Sequence, residues 1–124
     1  MDLCSLSVLL DDLKITEAFL KKNSGLTFKE ATLLCALGCG LSEPAKIAKN
    51  MNLSPSRTSR LISALEAKDL LIRNPSPVDK RVVNLALSQK GNDILEEIHK
   101  TDLPFPDYLQ KALDEITKSL NRNN

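Results

Sequence analysis

The side chains best suited to bind a ligand are the hydroxyl and guanidinium groups that cluster between residues 54 and 67. Arginine presents paired donors that fit a phosphate group or the edge of guanine, and small side chains allow close approach. No acidic residue interrupts this segment before Glu66, so it is more typical of a surface that binds a polyanion than of a solvated helix. At about 100° per residue, one helical face collects Ser56, Ser59, Arg60, Ser63 and Ala67, with Arg57 at its edge.

The elements that must position this face are predicted to be a helix-turn-helix. Ser54 is expected to cap the serine- and arginine-rich helix, and Ser42 to cap a short helix before it. Asn52-Leu53 forms a tight turn between them, and its leucine is expected to pack against both helices. The apolar side of the second helix consists of Thr58, Leu61, Ile62 and Leu65.

A two-stranded hairpin is predicted after this helix. Leu70–Ile72 forms a short first strand, and 74–77 (Asn-Pro-Ser-Pro) forces a loop because proline lacks the donor that a strand ladder needs. The chain returns as Arg81–Leu87, in which Val83, Leu85 and Leu87 alternate onto one face. The charged side chains expected on the tip and shoulders of this hairpin are Arg73, Asp79, Lys80 and Arg81.

Amphipathic helices are predicted on both sides of this central region. A leucine stripe from about Leu3 to Lys21 precedes a capping box at Thr27 to Glu30, which opens a helix that stops in Gly38-Cys39-Gly40. Ser88 caps a further helix, and a last helix carries apolar residues at helical spacing. The stretch 41–90 holds nine basic and four acidic residues, a net charge of +5, whereas the remainder carries −4. A basic centre between acidic ends fits one lobe that meets a polyanion.

Composition excludes several classes of protein. A chain of 124 residues with a net charge of +1 is expected to form one soluble, intracellular domain, without a membrane span. With three Phe, one Tyr and no Trp, the chain has few aromatic side chains that could stack on the bases of single-stranded nucleic acid. We find no phosphate-binding glycine loop and no His beside a nucleophile, so we expect neither an enzyme nor a cofactor.

Three cysteines, Cys4, Cys35 and Cys39, are an odd number in a chain that shows no secretory signal, which disfavours a disulfide framework. A single histidine, His99, cannot complete a zinc site with cysteines so placed. Cys35 and Cys39 are expected to be small buried apolar side chains. Cys4, near the start of the first helix, is either an inert thiol or a redox sensor.

The segment 53–66 (Leu-Ser-Pro-Ser-Arg-Thr-Ser-Arg-Leu-Ile-Ser-Ala-Leu-Glu), the wing sequence Asp79-Lys80-Arg81 and the following 87–91 (Leu-Ser-Gln-Lys-Gly) resemble the MarR family of winged-helix transcription regulators. Ser88 replaces the usual threonine and keeps its hydroxyl, and Asp69 stands where glycine is common but tolerates the left-handed conformation. The resemblance implies a mainly α (α+β) winged helix-turn-helix fold in a single domain 1–124. The winged-helix lobe would span 26–91, and dimerisation helices would span 1–22 and 92–124.

The resemblance further implies a cytoplasmic homodimer that binds a palindromic operator in double-stranded DNA and acts as a repressor. A recognition helix at about 54–68 would enter the major groove, and a wing at 73–82 would contact the minor groove, with Asp79 orienting Arg81. The signal for release, a small-molecule effector or an oxidant, stays open. The alternative is a winged-helix module that binds protein instead of DNA. The DNA-binding residues expected are Ser54, Ser56, Arg57, Ser59, Arg60, Ser63, Arg73, Lys80 and Arg81.

Overall fold

The computed structural model describes residues 2–76, 78–79 and 81–122. Within them, the mainly α fold with a two-stranded wing is confirmed. In chain order the elements are α1 (Leu3–Ser24), α2 (Phe28–Gly38), α3 (Pro44–Met51), α4 (Pro55–Ala67), β1 (Leu71–Pro75), β2 (Val83–Leu87), α5 (Gln89–Lys100) and α6 (Asp107–Arg122).

Three predicted helix starts are confirmed by their hydrogen bonds. At α2, the Thr27 hydroxyl accepts from the Glu30 amide at 3.2 Å and the Glu30 carboxylate accepts from the Thr27 amide at 3.0 Å. Ser54 caps α4 by accepting from the Arg57 amide at 3.2 Å. Ser88 caps α5 in the same way, so these local patterns determine where the helices begin.

The predicted cap of α3 was wrong. Glu43 occupies the N-cap position, in extended conformation and without a side-chain cap hydrogen bond. The reason is Pro44, which occupies the first helical position and disfavours helical geometry in the residue before it. Ser42 instead uses its carbonyl oxygen to accept from the Leu85 amide at 2.7 Å, which joins the start of α3 to β2.

The wing is longer on its first side and shorter on its second than predicted. β1 extends through Pro75, which is opposite Val83, and β2 begins at Val83 and not at Arg81. Proline is tolerated there because it closes the ladder, and the next amide, that of Ser76, donates to the Val82 carbonyl oxygen at 2.8 Å. The predicted inward face of β2 is confirmed, with Leu85 buried and its neighbours on that face half-buried.

The turn between α4 and β1 depends on the backbone conformation of Asp69 and on the absence of a side chain at Gly91 of α5. Asp69 has φ +61°, which confirms that aspartate adopts the left-handed turn here. Leu70 follows, almost fully buried, and packs against α5 at Gly91. A Cβ atom at Gly91 would lie 2.0 Å from the Leu70 carbonyl oxygen, so only glycine lets α5 approach this turn.

The core lies between α2, α3, α4, the wing and α5, and the cysteines are not central to it. Cys35 is half-buried and packs against the core, whereas Cys39 is exposed, so the prediction that both are buried was wrong for Cys39. The reason is that α2 ends at Gly38 and Cys39 is its C-cap residue. Burial, with the neighbouring Cys39 thiol, raises the pKa of the Cys35 thiol. The described residues contain no group of three or more potential metal ligands.

The outer helices keep much of their apolar surface exposed. On α1, Leu3, Leu10 and Ile15 are at least half exposed, and the residues of α1 that are buried are Thr16 and Leu20. On α6, Ile116 is 54% and Leu120 61% exposed. None of the helices in the described part of the chain is long and apolar enough to cross a membrane.

A first prediction concerns the buried carboxylate of the α2 capping box. Burial is the largest influence on Glu30 and raises its pKa, but the Thr27 amide and the Lys68 ammonium together outweigh it, so the pKa lies below its ordinary value of 4.5. The ionised form therefore stabilises the fold above pH 4.5, and this contribution disappears as the pH falls through the folded-state pKa. We expect Glu30→Gln to lower the free energy of unfolding by about 1–2 kcal/mol near neutral pH.

Urea unfolding of both proteins across the acidic range tests this, because the gap between them should close below pH 4.5. Glu43→Gln is the matched control, since Glu43 forms an exposed pair with Lys46 at 3.7 Å. Its expected effect is within about 0.5 kcal/mol at every pH. A gap that stays constant or widens in acid would contradict the role assigned to the Glu30 carboxylate.

Candidate nucleic-acid interface

The orientation of α4 is set by its apolar side. Thr58, Ile62 and Leu65 are buried, and the Thr58 hydroxyl donates to the Ser54 carbonyl oxygen at 2.9 Å. Leu53, in the turn after α3, packs half-buried against the core, as predicted for a helix-turn-helix. Because this side faces inward, the opposite side of α4 must face outward.

That outward side carries the predicted polar residues. All of the following are exposed: Ser54, Ser56, Arg57, Ser59, Arg60 and Ser63. The Ser54 and Ser56 hydroxyls lie 3.3 Å apart at the N-terminal end of α4, where the helix presents its free amides. The structure therefore brings small hydroxyls and two guanidinium groups together on one exposed side of α4, as the spacing predicted.

The wing presents a further exposed cation, Arg81. The Asp79 carboxylate accepts from the Arg81 amide at 3.0 Å and from Arg81 Nε at 3.3 Å. The Arg81 side chain is nevertheless 91% exposed, so the carboxylate limits its direction while leaving the guanidinium free to meet an anion. This is the geometry expected if Asp79 orients Arg81. Lys80, which was predicted to act beside it, lies outside the described residues.

Arg73 is placed differently from the other predicted cations. Its Nε donates to both carboxylate oxygens of Glu66, at 3.0 and 2.9 Å. Glu66 lies in the last turn of α4 and Arg73 in the middle of β1, so this pair connects the candidate recognition helix to the wing. Glu66 was not predicted to pair with Arg73, because the two residues belong to different elements and no local periodicity relates them.

Cys4 lies in the first turn of α1, exposed. Its amide donates to the Asp2 carboxylate at 2.9 Å, so its nearest charged neighbour on the cap is acidic. The hydroxyl of Tyr108 does not contact this thiol but donates to the Asp12 carboxylate, about two turns further along α1. This hydrogen bond raises the pKa of Tyr108 to about 12.

Comparisons with known proteins agree with this geometry. The sequence profile of the MarR family matches residues 33–83. The Multiple antibiotic resistance protein MarR of Salmonella typhimurium is 30% identical over 96 residues, which cover 77% of this chain and 62% of that protein. The HTH-type transcriptional regulator YhbI of Bacillus subtilis is 26% identical over 91 residues, which cover 64% of this chain and 59% of YhbI. The chain thus spans about six-tenths of the length of these two relatives.

Among solved structures, a cysteine-to-serine mutant of MarR from E. coli complexed with operator DNA superimposes with a TM-score of 0.71. It is 20% identical, with 94% of this chain and 90% of that chain covered. At this identity the match shows the fold, and it extends over the outer helices as well as the helix-turn-helix and wing. The profile, the relatives and the fold together confirm the resemblance that the residues indicated. The helix-turn-helix and wing of this chain match the MarR family of winged-helix proteins, whose fold the chain shares.

Proposed function

We propose that this protein is a homodimeric, sequence-specific regulator of transcription that binds double-stranded DNA. The observation that carries the proposal is the outward side of α4, where serines, Arg57 and Arg60 are exposed, together with the exposed Arg81 on the wing. Helix and wing offer donors for base edges and for phosphates respectively. Operator DNA is bound by the MarR mutant whose fold this chain shares, which supports the same use of the same elements.

Individual roles follow from position on the helix and wing. Arg60 and Ser56 are proposed to contact base edges, with Arg57 and Ser59 next, because their side chains project from the N-terminal and central turns of α4. Arg81 is proposed to contact the minor groove or its phosphates, and Lys80 to act beside it. Because the Nε of Arg73 donates to the Glu66 carboxylate, the proposed role of Arg73 is to position the wing.

Dimerisation is proposed to use the outer helices. Their leucine and isoleucine side chains leave apolar surface exposed on both helices, and pairing two copies would cover it. A two-fold dimer would place one α4 in each of two successive major grooves, so the operator would be roughly palindromic. In this proposal the DNA-binding lobe spans residues 26–91, and the dimerisation segments span 1–22 and 92–124.

We further propose that the protein represses transcription in the cytoplasm and that an effector releases it from DNA. A cleft of about 340 Å³ lies between the end of α1 and α5, lined by Phe19, Leu20, Ile94, Ile98 and Leu103 among others. Its lining is mostly apolar with a few polar groups, which suits a small lipophilic or aromatic ligand. A protein-interaction module is disfavoured because the exposed side of α4 carries no large apolar side chain that would anchor a protein partner.

The test is selection from a pool of random duplexes at about 50 and 200 mM salt, comparing wild type with Arg60→Ala/Arg81→Ala. Wild type alone should enrich a palindrome, and its affinity should fall with salt more steeply than that of the double mutant. If neither protein enriches a sequence and both behave alike at the two salt concentrations, the proposed function is wrong and a protein-binding role takes its place.

A further inference from the structure

Lys68 lies where α4 ends, and it contacts the junction between α1 and α2. Its ammonium group donates to Glu30 Oε2 at 2.9 Å and to the Gly25 carbonyl oxygen at 3.0 Å. Lys68 is the C-cap residue of α4, and Gly25 is the C-cap residue of α1. One ammonium group therefore joins the end of the outer helix to the end of the candidate recognition helix.

The acceptors of Lys68 are themselves firmly held. The Glu30 side chain is only 8% exposed, and its second oxygen accepts from the Thr27 amide at 3.0 Å. On the other side of the junction, the Glu17 carboxylate of α1 accepts from the Phe28 amide of α2 at 2.9 Å. Lys68 thus binds to acceptors that α1 and α2 already hold in place, and not to a mobile surface carboxylate.

The exposed pair Lys46–Glu43 shows how this differs from an ordinary surface ion pair. Its atoms are 3.7 Å apart, its side chains are 67% and 42% exposed, and both residues belong to the start of one helix. Such a pair contributes little and connects no separate elements. It therefore provides a matched lysine for a control.

We propose that Lys68 is a positioning residue that sets the angle between α1 and α4, and thereby the separation of the two recognition helices in the dimer. This inference rests on the proposed function. The 13 residues of α4 span about 20 Å, so a tilt of about 10° about the Lys68 end moves the other end by about 3.4 Å. That displacement equals about one base-pair step along DNA, which is enough to change the preferred spacing of half-sites.

The experiment uses the selected operator and two derivatives, with one base pair removed or added between its half-sites. Wild type is expected to bind the altered duplexes at least about thirtyfold more weakly, whereas Lys68→Met, which keeps the aliphatic stem, should lose less than about fivefold. Lys68→Arg should restore discrimination, because it keeps a charged donor. Lys46→Met should behave as wild type.

Glu30→Gln provides a second variant if Lys68→Met does not fold, since the amide oxygen still accepts from Thr27 while the charge that faces Lys68 is lost. It should show the same relaxed spacing preference. The inference is overturned if a folded Lys68→Met or Glu30→Gln variant discriminates between the three duplexes as strongly as wild type does. It is also overturned if the variant loses the same affinity for all three duplexes. In both cases the proposed function still stands. Failure of wild type to select any operator overturns the proposed function, and the inference falls with it.

Discussion

Replacing Ile116 and Leu120 together with aspartate is expected to convert the proposed dimer into monomers and to lower operator affinity at least about 100-fold. Both side chains are more than half exposed on the apolar stripe of α6, where the proposed partner would cover them. Each buried aliphatic side chain contributes about 1.5–3 kcal/mol, and an unpaired charge in its place adds a further cost. A monomer would also contact one half-site only.

Sedimentation equilibrium measures the mass, and titration with the selected operator measures the affinity. Lys118→Asp is the control, because Lys118 lies on the opposite side of α6 and the substitution changes the net charge by the same amount as the double variant. The control should remain dimeric. Retention of the dimer by the Ile116→Asp/Leu120→Asp variant, with helical content unchanged, would show that this stripe is not the interface.

Arg60→Ala is expected to weaken operator binding by about 1–3 kcal/mol, or roughly 5- to 150-fold, and to relax the base preference at one position of each half-site. Arg60 projects from the exposed side of α4 and makes no ion pair within the described residues. Its paired donors are therefore available for a base edge. Binding to a set of single-base operator variants measures both effects.

Arg81→Ala is the informative comparison for Arg60→Ala. Arg81 is proposed to meet the backbone or the minor groove, so its loss should weaken binding to all duplexes to a similar degree and reduce the salt dependence by about one counterion. Equal operator affinity of Arg60→Ala and wild type would remove Arg60 from the base-contacting residues, whatever the behaviour of Arg81.

The helix caps show why part of this fold was predictable from sequence. The Thr27–Glu30 box and the caps at Ser54 and Ser88 each depend on residues three positions apart, so the donor and acceptor are close in any chain that starts a helix there. The cap of α3 was missed although the pattern was also local, because Pro44 determined the position of the first helical residue. Cys39 was misplaced because burial was inferred from the apolar character of cysteine, whereas Cys39 is the C-cap residue of α2 and is exposed.

The exposed side of the candidate interface was also predictable, and its connections were not. Helical periodicity alone placed Ser56, Ser59 and Arg60 opposite the buried side of α4. The partner of Arg73, in contrast, lies seven residues earlier in another element, and Glu30 lies 38 residues from Lys68. No spacing rule relates such pairs, since only the folded packing of α4 against the wing and the α1–α2 junction brings them together.

The sequence by itself determined the type and order of the elements, most of their caps and the chemical character of the α4 face. These properties follow from period, capping chemistry and side-chain type, all of which act over three or four residues. Only the tertiary structure decided that Arg73 is paired, that Gly91 must lack a Cβ atom beside Leu70, and that Lys68 joins the ends of α1 and α4. Those outcomes depend on the relative placement of elements, which the buried core sets and no local pattern records.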